Sequence, residues 1–201
     1  MLISAQKLIE GYRSFKSRFT SGDQTVMQQL AFNGQKPEYM VISCCDSRVD
    51  PSLIFQTGPG EIFTARNVAN IVPPYEADEK HHGTSAALEF AVCYLEIKHL
   101  IIMGHSQCGG IQARLNGEEL HHQNDFISSW VSVINFNDTN INSDDAAKIG
   151  LTQSYENCLT FPWIKTRIAN NQLVVHLWFF DIETAEIEQY DFANKTFVPL
   201  L

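Results

Sequence analysis

Three nearly continuous apolar runs constrain the fold of this chain more than any other feature of its sequence. They are EYMVISC at 38–44, HLIIMGH at 99–105 and QLVVHLWFF at 172–180. Strands that are apolar on both faces are typical of parallel sheets covered by helices. Helical patterns separate the runs, and strand alternating with helix implies right-handed crossovers. The sequence therefore predicts an α/β fold with a mainly parallel central sheet flanked by helices.

Weaker patterns complete this predicted architecture. EIFTAR at 61–66 is a further strand, and the ending EIEQYDFANKTFVPL predicts a closing hairpin around Asn194–Lys195. With no repeat, linker or low-complexity tract, we expect one domain over 1–201, made of a helical arm at 1–33 and an α/β core at 34–201. Residues 135–145 are expected to form a polar loop. Helices are predicted at 83–98, 108–116, 125–134, 146–158 and 161–170.

Composition excludes several classes of function. The net charge is −9 and the pI is near 5.2, so no basic surface is expected for nucleic acid. No apolar run reaches the roughly 18 residues that a membrane span requires. The N-terminal residues lack the pattern of a signal peptide, and the five cysteines are too widely spaced for a disulfide scaffold. We therefore expect a cytoplasmic protein that binds neither nucleic acid nor membranes.

Metal-binding side chains follow two of the apolar runs. Cys44 ends the first run and His105 ends the second, and ligands bind at the carboxyl ends of parallel strands. Cys108 follows three residues after His105, near the start of a predicted helix whose dipole favours a thiolate. Two thiolates and one imidazole suit zinc and leave a fourth position for water. The pattern predicts a catalytic zinc site rather than a closed structural one.

Asp46 and Arg48 follow Cys44 closely and are the predicted catalytic pair. A carboxylate beside zinc can accept a hydrogen bond from bound hydroxide, or it can bind the metal and close the site. An arginine that pairs with the carboxylate in fork geometry would hold it away from the metal.

These residues also carry a family resemblance. CCDSR at 44–48 and HSQC at 105–108 resemble the C-x-D-S-R and H-x-x-C motifs of β-class carbonic anhydrases, and similar blocks extend over most of 34–190. The resemblance implies zinc ligands at Cys44, His105 and Cys108, catalytic roles for Asp46 and Arg48, and reversible hydration of carbon dioxide to bicarbonate and a proton. It also implies a homodimer, or a dimer of dimers, in which N-terminal helices embrace the neighbouring chain.

Two subclasses of that family differ beside the metal. The self-inhibited subclass has Trp, Gly and Tyr where this chain has Val41, Ser43 and Phe180. The chain therefore resembles the open subclass, in which water is the fourth ligand and Asp46 binds zinc only if a closed state exists.

The resemblance assigns a substrate pocket to four residues, which are Gln35, Phe63, Phe90 and Gly109. Phe90 is also a departure, since the open subclass often has a tyrosine whose hydroxyl bonds a zinc-bound thiolate. Leu177 stands where many members have glycine.

Two other functions remain open from sequence. The same zinc chemistry could hydrolyse carbon disulfide or carbonyl sulfide, or the chain could be a non-catalytic zinc-binding oligomer.

The remaining cysteines and histidines receive structural interpretations. Cys45 should face away from the metal and pack, and Cys93 and Cys158 should be small buried residues on helices. The pairs His81–His82 and His121–His122 could shuttle protons, although solvated loop positions are the simpler interpretation.

Overall fold

The computed structural model describes residues 5–20, 25–78, 80–117, 126–136 and 141–201. Its internal contacts divide the chain into two compact units, Met1–Lys36 and Pro37–Leu201. The described part of the first unit contains helices α1 (Gln6–Thr20) and α2 (Val26–Asn33). Neither helix has a buried residue, and Leu8 and Tyr12 on α1 are 76% and 61% exposed. The predicted apolar stripe of α1 is thus exposed within one chain.

A six-stranded sheet forms the centre of the second unit. Its strands are β1 (Tyr39–Cys44), β2 (Ile62–Asn67), β3 (His99–His105), β4 (Val174–Phe180), β5 (Ile187–Asp191) and β6 (Thr196–Pro199). Their order is β2-β1-β3-β4-β5-β6, in which the first four are parallel and the last two are antiparallel. The predicted parallel sheet and C-terminal hairpin are confirmed. The hairpin also extends the sheet itself, because β5 pairs with β4.

The register of β1 and β3 brings their carboxyl ends to the same edge of the sheet. Tyr39 pairs with His99, and Ser43 pairs with Met103. Every residue of β1 after Tyr39 is buried, as is every residue of β3 after His99. This burial on both faces explains why the two runs are continuous rather than alternating, and it fixes the strand ends in the core.

Helices flank the sheet. They are α3 (Pro51–Ile54), α4 (Gly83–Glu89), α5 (Gly109–Leu115), α6 (Phe126–Val131), α7 (Ser143–Cys158) and α8 (Pro162–Ala169). All of them except α3, which was not predicted, lie close to the predicted positions. The loop prediction at 135–145 is wrong at its end, because α7 begins at Ser143. Asn142 caps that helix by accepting hydrogen bonds from the backbone N–H groups of Asp144 and Asp145. Among the described residues, no helix combines the length and apolar character needed to cross a membrane.

Two cysteine predictions are wrong. The helix expected at 83–98 changes after Glu89 into a π-helical turn, Phe90–Tyr94, and Cys93 in this turn is exposed. A π turn has a wider repeat than an α-helix, so α-helical spacing gives the wrong face for Cys93. Cys45 is exposed as well, so it faces solvent instead of packing. Cys158 is buried, as predicted.

Candidate metal centre

Three buried side chains converge where β1 and β3 end. Cys44 is the last residue of β1, His105 is the last residue of β3, and Cys108 is the N-cap of α5. Their potential ligand atoms all lie within 4.8 Å of one another. The structure therefore brings together the three residues that the sequence predicted as metal ligands.

The geometry of these three residues fits zinc. The Cys44 and Cys108 Sγ atoms are 3.9 Å apart, and a tetrahedral ion with two Zn–S bonds needs about 3.8 Å. His105 Nδ1 lies 2.8 Å from the Ser106 carbonyl oxygen, which can only accept, so Nδ1 carries the proton. A neutral His105 then presents the lone pair of Nε2, and this buried atom has no hydrogen-bond partner in the described chain. A buried bare nitrogen beside two sulfurs is the donor set of a zinc site.

The Cys44 and Cys108 sulfurs are in contact, and this contact moves their pKa values in opposite directions. Contact with the Cys108 sulfur lowers the pKa of Cys44 against the opposing effect of burial, and His105 and the backbone N–H groups of Asp46 and Ala69 lower it further. The same contact with Cys44, together with burial, raises the pKa of Cys108, and this outweighs the N–H groups of Gly110 and Ile111. The predicted effect of the α5 N-terminus is thus present but smaller than that of the neighbouring sulfur. A divalent cation would favour both thiolates.

Asp46 and Arg48 form a bidentate ion pair just beyond β1. Arg48 Nε donates to Asp46 Oδ1 at 2.9 Å, Nη2 donates to Oδ2 at 2.7 Å, and the Arg48 backbone N–H donates to Oδ1 at 2.9 Å. These hydrogen bonds hold the pKa of Asp46 well below its usual range, against the opposing effect of burial. Arg48 Nη2 also approaches the Gln107 carbonyl at 3.4 Å, between the two later candidate ligands. Asp46 is therefore an oriented, ionised acceptor.

Arg66 fixes the loop that carries Cys44 and Asp46, and our sequence analysis did not single it out. Its guanidinium donates to the Cys44 carbonyl at 2.9 Å, the Asp46 carbonyl at 2.8 Å and the Asp50 carboxylate at 2.7 Å. The sequence did contain one signal for Arg66, which is a charged residue within a predicted strand. A charge in a sheet needs hydrogen-bonding or ionic partners, and Asp50 in the preceding loop is such a partner.

Glycine at 110 is required by close packing between α5 and the 3₁₀ turn Val68–Asn70. A Cβ at Gly110 would lie 2.5 Å from Val68 Cγ1. At Gly109, in contrast, a Cβ would meet nothing within 4 Å. Packing does not explain glycine at 109, and its predicted role in substrate binding stays a prediction.

Two of the other predicted pocket residues, Phe63 and Phe90, lie away from the metal cluster within the second unit. Phe63 pairs with Met40 in the register of β2 and β1, which places it about 13 Å along the sheet from the level of Cys44. Phe90 contacts Phe63, with ring centroids 5.8 Å apart, and is 44% exposed. Gln35 belongs to the N-terminal unit. The substrate-binding roles of these three residues stay predictions.

The histidine pairs remain outside the cluster or outside the described chain. His82 Nε2 lies 2.6 Å from Asp78 Oδ1 in an exposed loop, and His81 is exposed. His121 and His122 lie outside the described residues. A role in proton transfer stays a prediction for all four.

Comparison with known proteins places this chain in a family. A family profile described as carbonic anhydrase matches residues 39–187. The carbonic anhydrase of Synechocystis sp. is 33% identical over 204 residues, covering 96% of this chain and 73% of that protein. The structure of the β-carbonic anhydrase CcaA is 33% identical, covers 96% of this chain and 98% of its own, and superposes with a TM-score of 0.85. A tetrameric β-carbonic anhydrase of the ascomycete Sordaria macrospora is 27% identical over 92% of this chain and 94% of its own, with a TM-score of 0.73. The chain, with its buried Cys-His-Cys cluster and parallel sheet, therefore belongs to the β-carbonic anhydrase family.

Proposed function

We propose that this protein is a zinc-dependent enzyme that hydrates carbon dioxide reversibly to bicarbonate and a proton. One observation carries the proposal: the buried Cys44–His105–Cys108 cluster is joined to an ion-paired residue, Asp46, whose backbone N–H bonds to Cys44. A closed structural zinc site would supply four protein ligands, whereas this cluster offers three and leaves one position open.

Each site residue receives a role in this proposal. Cys44, His105 and Cys108 would hold the ion. Zinc in such a site acts as a Lewis acid that lowers the pKa of a water ligand to near 7 and so supplies hydroxide at neutral pH. Asp46 would accept a hydrogen bond from the nucleophile. This hydrogen bond would direct a lone pair of the nucleophile toward the carbon atom of the substrate. Arg48 would keep Asp46 ionised and fixed for that contact.

We assign the chain to the open subclass. Both oxygens of Asp46 are engaged by Arg48, so the carboxylate acts as an oriented acceptor rather than a ligand. Val41 and Phe180 are buried apolar side chains that offer no hydrogen bond to an anion. This favours an enzyme without a bicarbonate-stabilised closed state.

Assembly and location complete the proposal. The exposed apolar residues of α1, and the exposed Phe90 beside the partly buried Phe63, are suited to contact with another copy of the chain. The tetrameric relative supports a homodimer or a dimer of dimers. In such an oligomer, Phe63 and Phe90 of one copy would line the metal centre of a neighbouring copy, where Gly109 directly follows the candidate ligand Cys108. Gln35 would line the same substrate pocket. We propose a cytoplasmic enzyme.

Stopped-flow hydration of carbon dioxide, measured on protein of known zinc content, tests the function. We expect the rate to scale with zinc content and to disappear after chelation. Hydrolysis of carbon disulfide or carbonyl sulfide without carbon dioxide hydration would contradict the proposal. Zinc-loaded protein with neither activity would favour a non-catalytic role.

A further inference from the structure

A single peptide group links a candidate metal ligand to helix α7. The carbonyl oxygen of the Ser106–Gln107 peptide accepts a hydrogen bond from His105 Nδ1 at 2.8 Å. The N–H of the same peptide donates to Asp144 Oδ1 at 3.1 Å. Asp144 lies 37 residues further along the chain, in the first turn of α7. Two hydrogen bonds to one peptide group therefore link the carboxylate of Asp144 to the imidazole of His105.

The surrounding backbone fixes the orientation of this peptide. The Ser106 N–H donates to the Phe180 carbonyl at 3.0 Å, and the Ser106 hydroxyl accepts from the Ile182 N–H at 2.9 Å. Gln107 has a φ of 55°, in the left-handed region that non-glycine residues rarely occupy. Such a conformation is unfavourable and persists only where the surrounding structure over-determines it. The Asp144 contact is one of the interactions that hold it.

We propose that Asp144 is a positioning residue for the metal centre and acts on His105 through the Ser106–Gln107 peptide. Ligating histidines usually donate their second N–H to a carboxylate or carbonyl, which fixes the ring and raises its basicity. Here the Ser106 carbonyl accepts the hydrogen bond from the ring N–H of His105. The Asp144 carboxylate accepts a hydrogen bond from the N–H of the same peptide. A negative acceptor on the N–H polarises the peptide and strengthens the hydrogen bond at its carbonyl. Asp144 thus strengthens His105 as a ligand without touching it.

A competing explanation is that Asp144 only stabilises the N-terminus of α7, where acidic residues are favourable. Asp145 separates the two explanations. It occupies the same helical turn, and its backbone N–H bonds Asn142 Oδ1, as does that of Asp144. Its carboxylate accepts from Asn142 Nδ2 at 2.6 Å instead of contacting the loop between His105 and Cys108. Loss of either carboxylate removes the same charge from the same helix end.

The test compares zinc affinity in Asp144→Ala, Asp144→Asn and Asp145→Ala, each measured on the full chain by competition with a chromophoric chelator. Loss of an outer partner of a metal ligand typically weakens metal affinity by 10- to 100-fold. We expect a loss of about 10-fold in Asp144→Ala. Asp144→Asn keeps an oxygen acceptor but loses the charge, and charge-assisted hydrogen bonds are roughly twice as strong as neutral ones, so we expect a loss of about 3-fold. Asp145→Ala should bind zinc like the wild type.

The absorption spectrum of Co²⁺-substituted protein gives a second readout, because it reports on the ligand field. It should shift in both Asp144 variants and stay unchanged in Asp145→Ala. Wild-type zinc affinity in Asp144→Asn, or an equal loss in Asp145→Ala, would overturn the inference even if Asp144→Ala failed to fold. The inference rests on the proposed zinc role of His105. A wild-type protein that binds no zinc would overturn both, whereas tight wild-type binding that is unchanged in the Asp144 variants would overturn only the role of Asp144.

Discussion

Arg48 engages both carboxylate oxygens of Asp46, with its Nε 2.9 Å from Oδ1 and its Nη2 2.7 Å from Oδ2. This fork defines what Asp46 can do, because each oxygen already has a charged donor. A carboxylate held in this way can orient a proton on a neighbouring group while remaining ionised.

Asp46→Asn should therefore keep zinc and lose rate. An amide orients a neighbouring proton poorly, so we expect a loss of about 10- to 100-fold in kcat with unchanged zinc content. Arg48→Lys should show a similar but smaller loss, since lysine cannot form the fork. Steady-state kinetics and metal analysis on the same samples measure both effects. A loss of zinc in Asp46→Asn would instead identify Asp46 as a ligand.

Replacement of Cys44, His105 or Cys108 by Ala should remove most zinc and nearly all hydration activity. A three-ligand site that loses one ligand cannot keep a tetrahedral arrangement around an open position. Cys45→Ala is the matched control, because it removes the adjacent but exposed thiol. Full activity with stoichiometric zinc in any of the three ligand variants would contradict the assignment.

The two glycines that begin α5 should respond differently to alanine. Gly110→Ala places a Cβ 2.5 Å from Val68 Cγ1, and overpacking of this kind typically costs about 1–3 kcal/mol of the free energy of unfolding. Gly109→Ala meets nothing within 4 Å, so its stability should be unchanged or slightly higher. Denaturant unfolding measures both. A raised KM in Gly109→Ala, without loss of stability, would support its role in the substrate pocket, and equal destabilisation of both variants would contradict the packing argument.

Reactivity toward a thiol reagent at pH 8 should divide the cysteines by environment. Burial raises the pKa of Cys158 to about 12, so this thiol stays neutral and inaccessible until the protein unfolds. Cys45 and Cys93 are exposed, although partial desolvation and the nearby Glu89 carboxylate raise the pKa of the Cys93 thiol and should slow its reaction. We expect two reactive thiols in the native zinc-loaded protein. Mass spectrometry of the labelled peptides identifies them, and labelling of native Cys158 would contradict the predicted burial.

Assembly should depend on the apolar face of α1. Leu8 and Tyr12 lie one helical turn apart and are exposed. Their double replacement by serine should lower the sedimentation coefficient toward that of a monomer, whereas Arg13→Ser on the same helix should not. Deletion of residues 1–20 should have the same effect and lower solubility. A wild-type protein that sediments as a stable monomer at micromolar concentration would contradict this prediction.

The convergence of Cys44 and His105 could be predicted because each of the two strands is recognisable from its own apolar run. Two apolar runs, each ending in a metal-binding residue, need only a parallel sheet to bring those ends together. Arg66 and Asp144 act instead through contacts to backbone groups distant in sequence, and neither periodicity nor a motif encodes such a contact. Cys93 was misplaced for a third reason, since the π turn changes the helical repeat without a signal in residue types.

The position of Cys44 and His105 at the ends of buried strands has a consequence for how the protein acquires its metal. In small zinc-binding modules the ion organises the chain, and removal of the ion unfolds it. Here the pairing of β1 with β3 positions the candidate ligands, so we expect the metal-free protein to stay folded with its donors in place. Metal exchange would then be a reversible binding equilibrium of a folded protein, in which one divalent ion can replace another while the sheet stays intact.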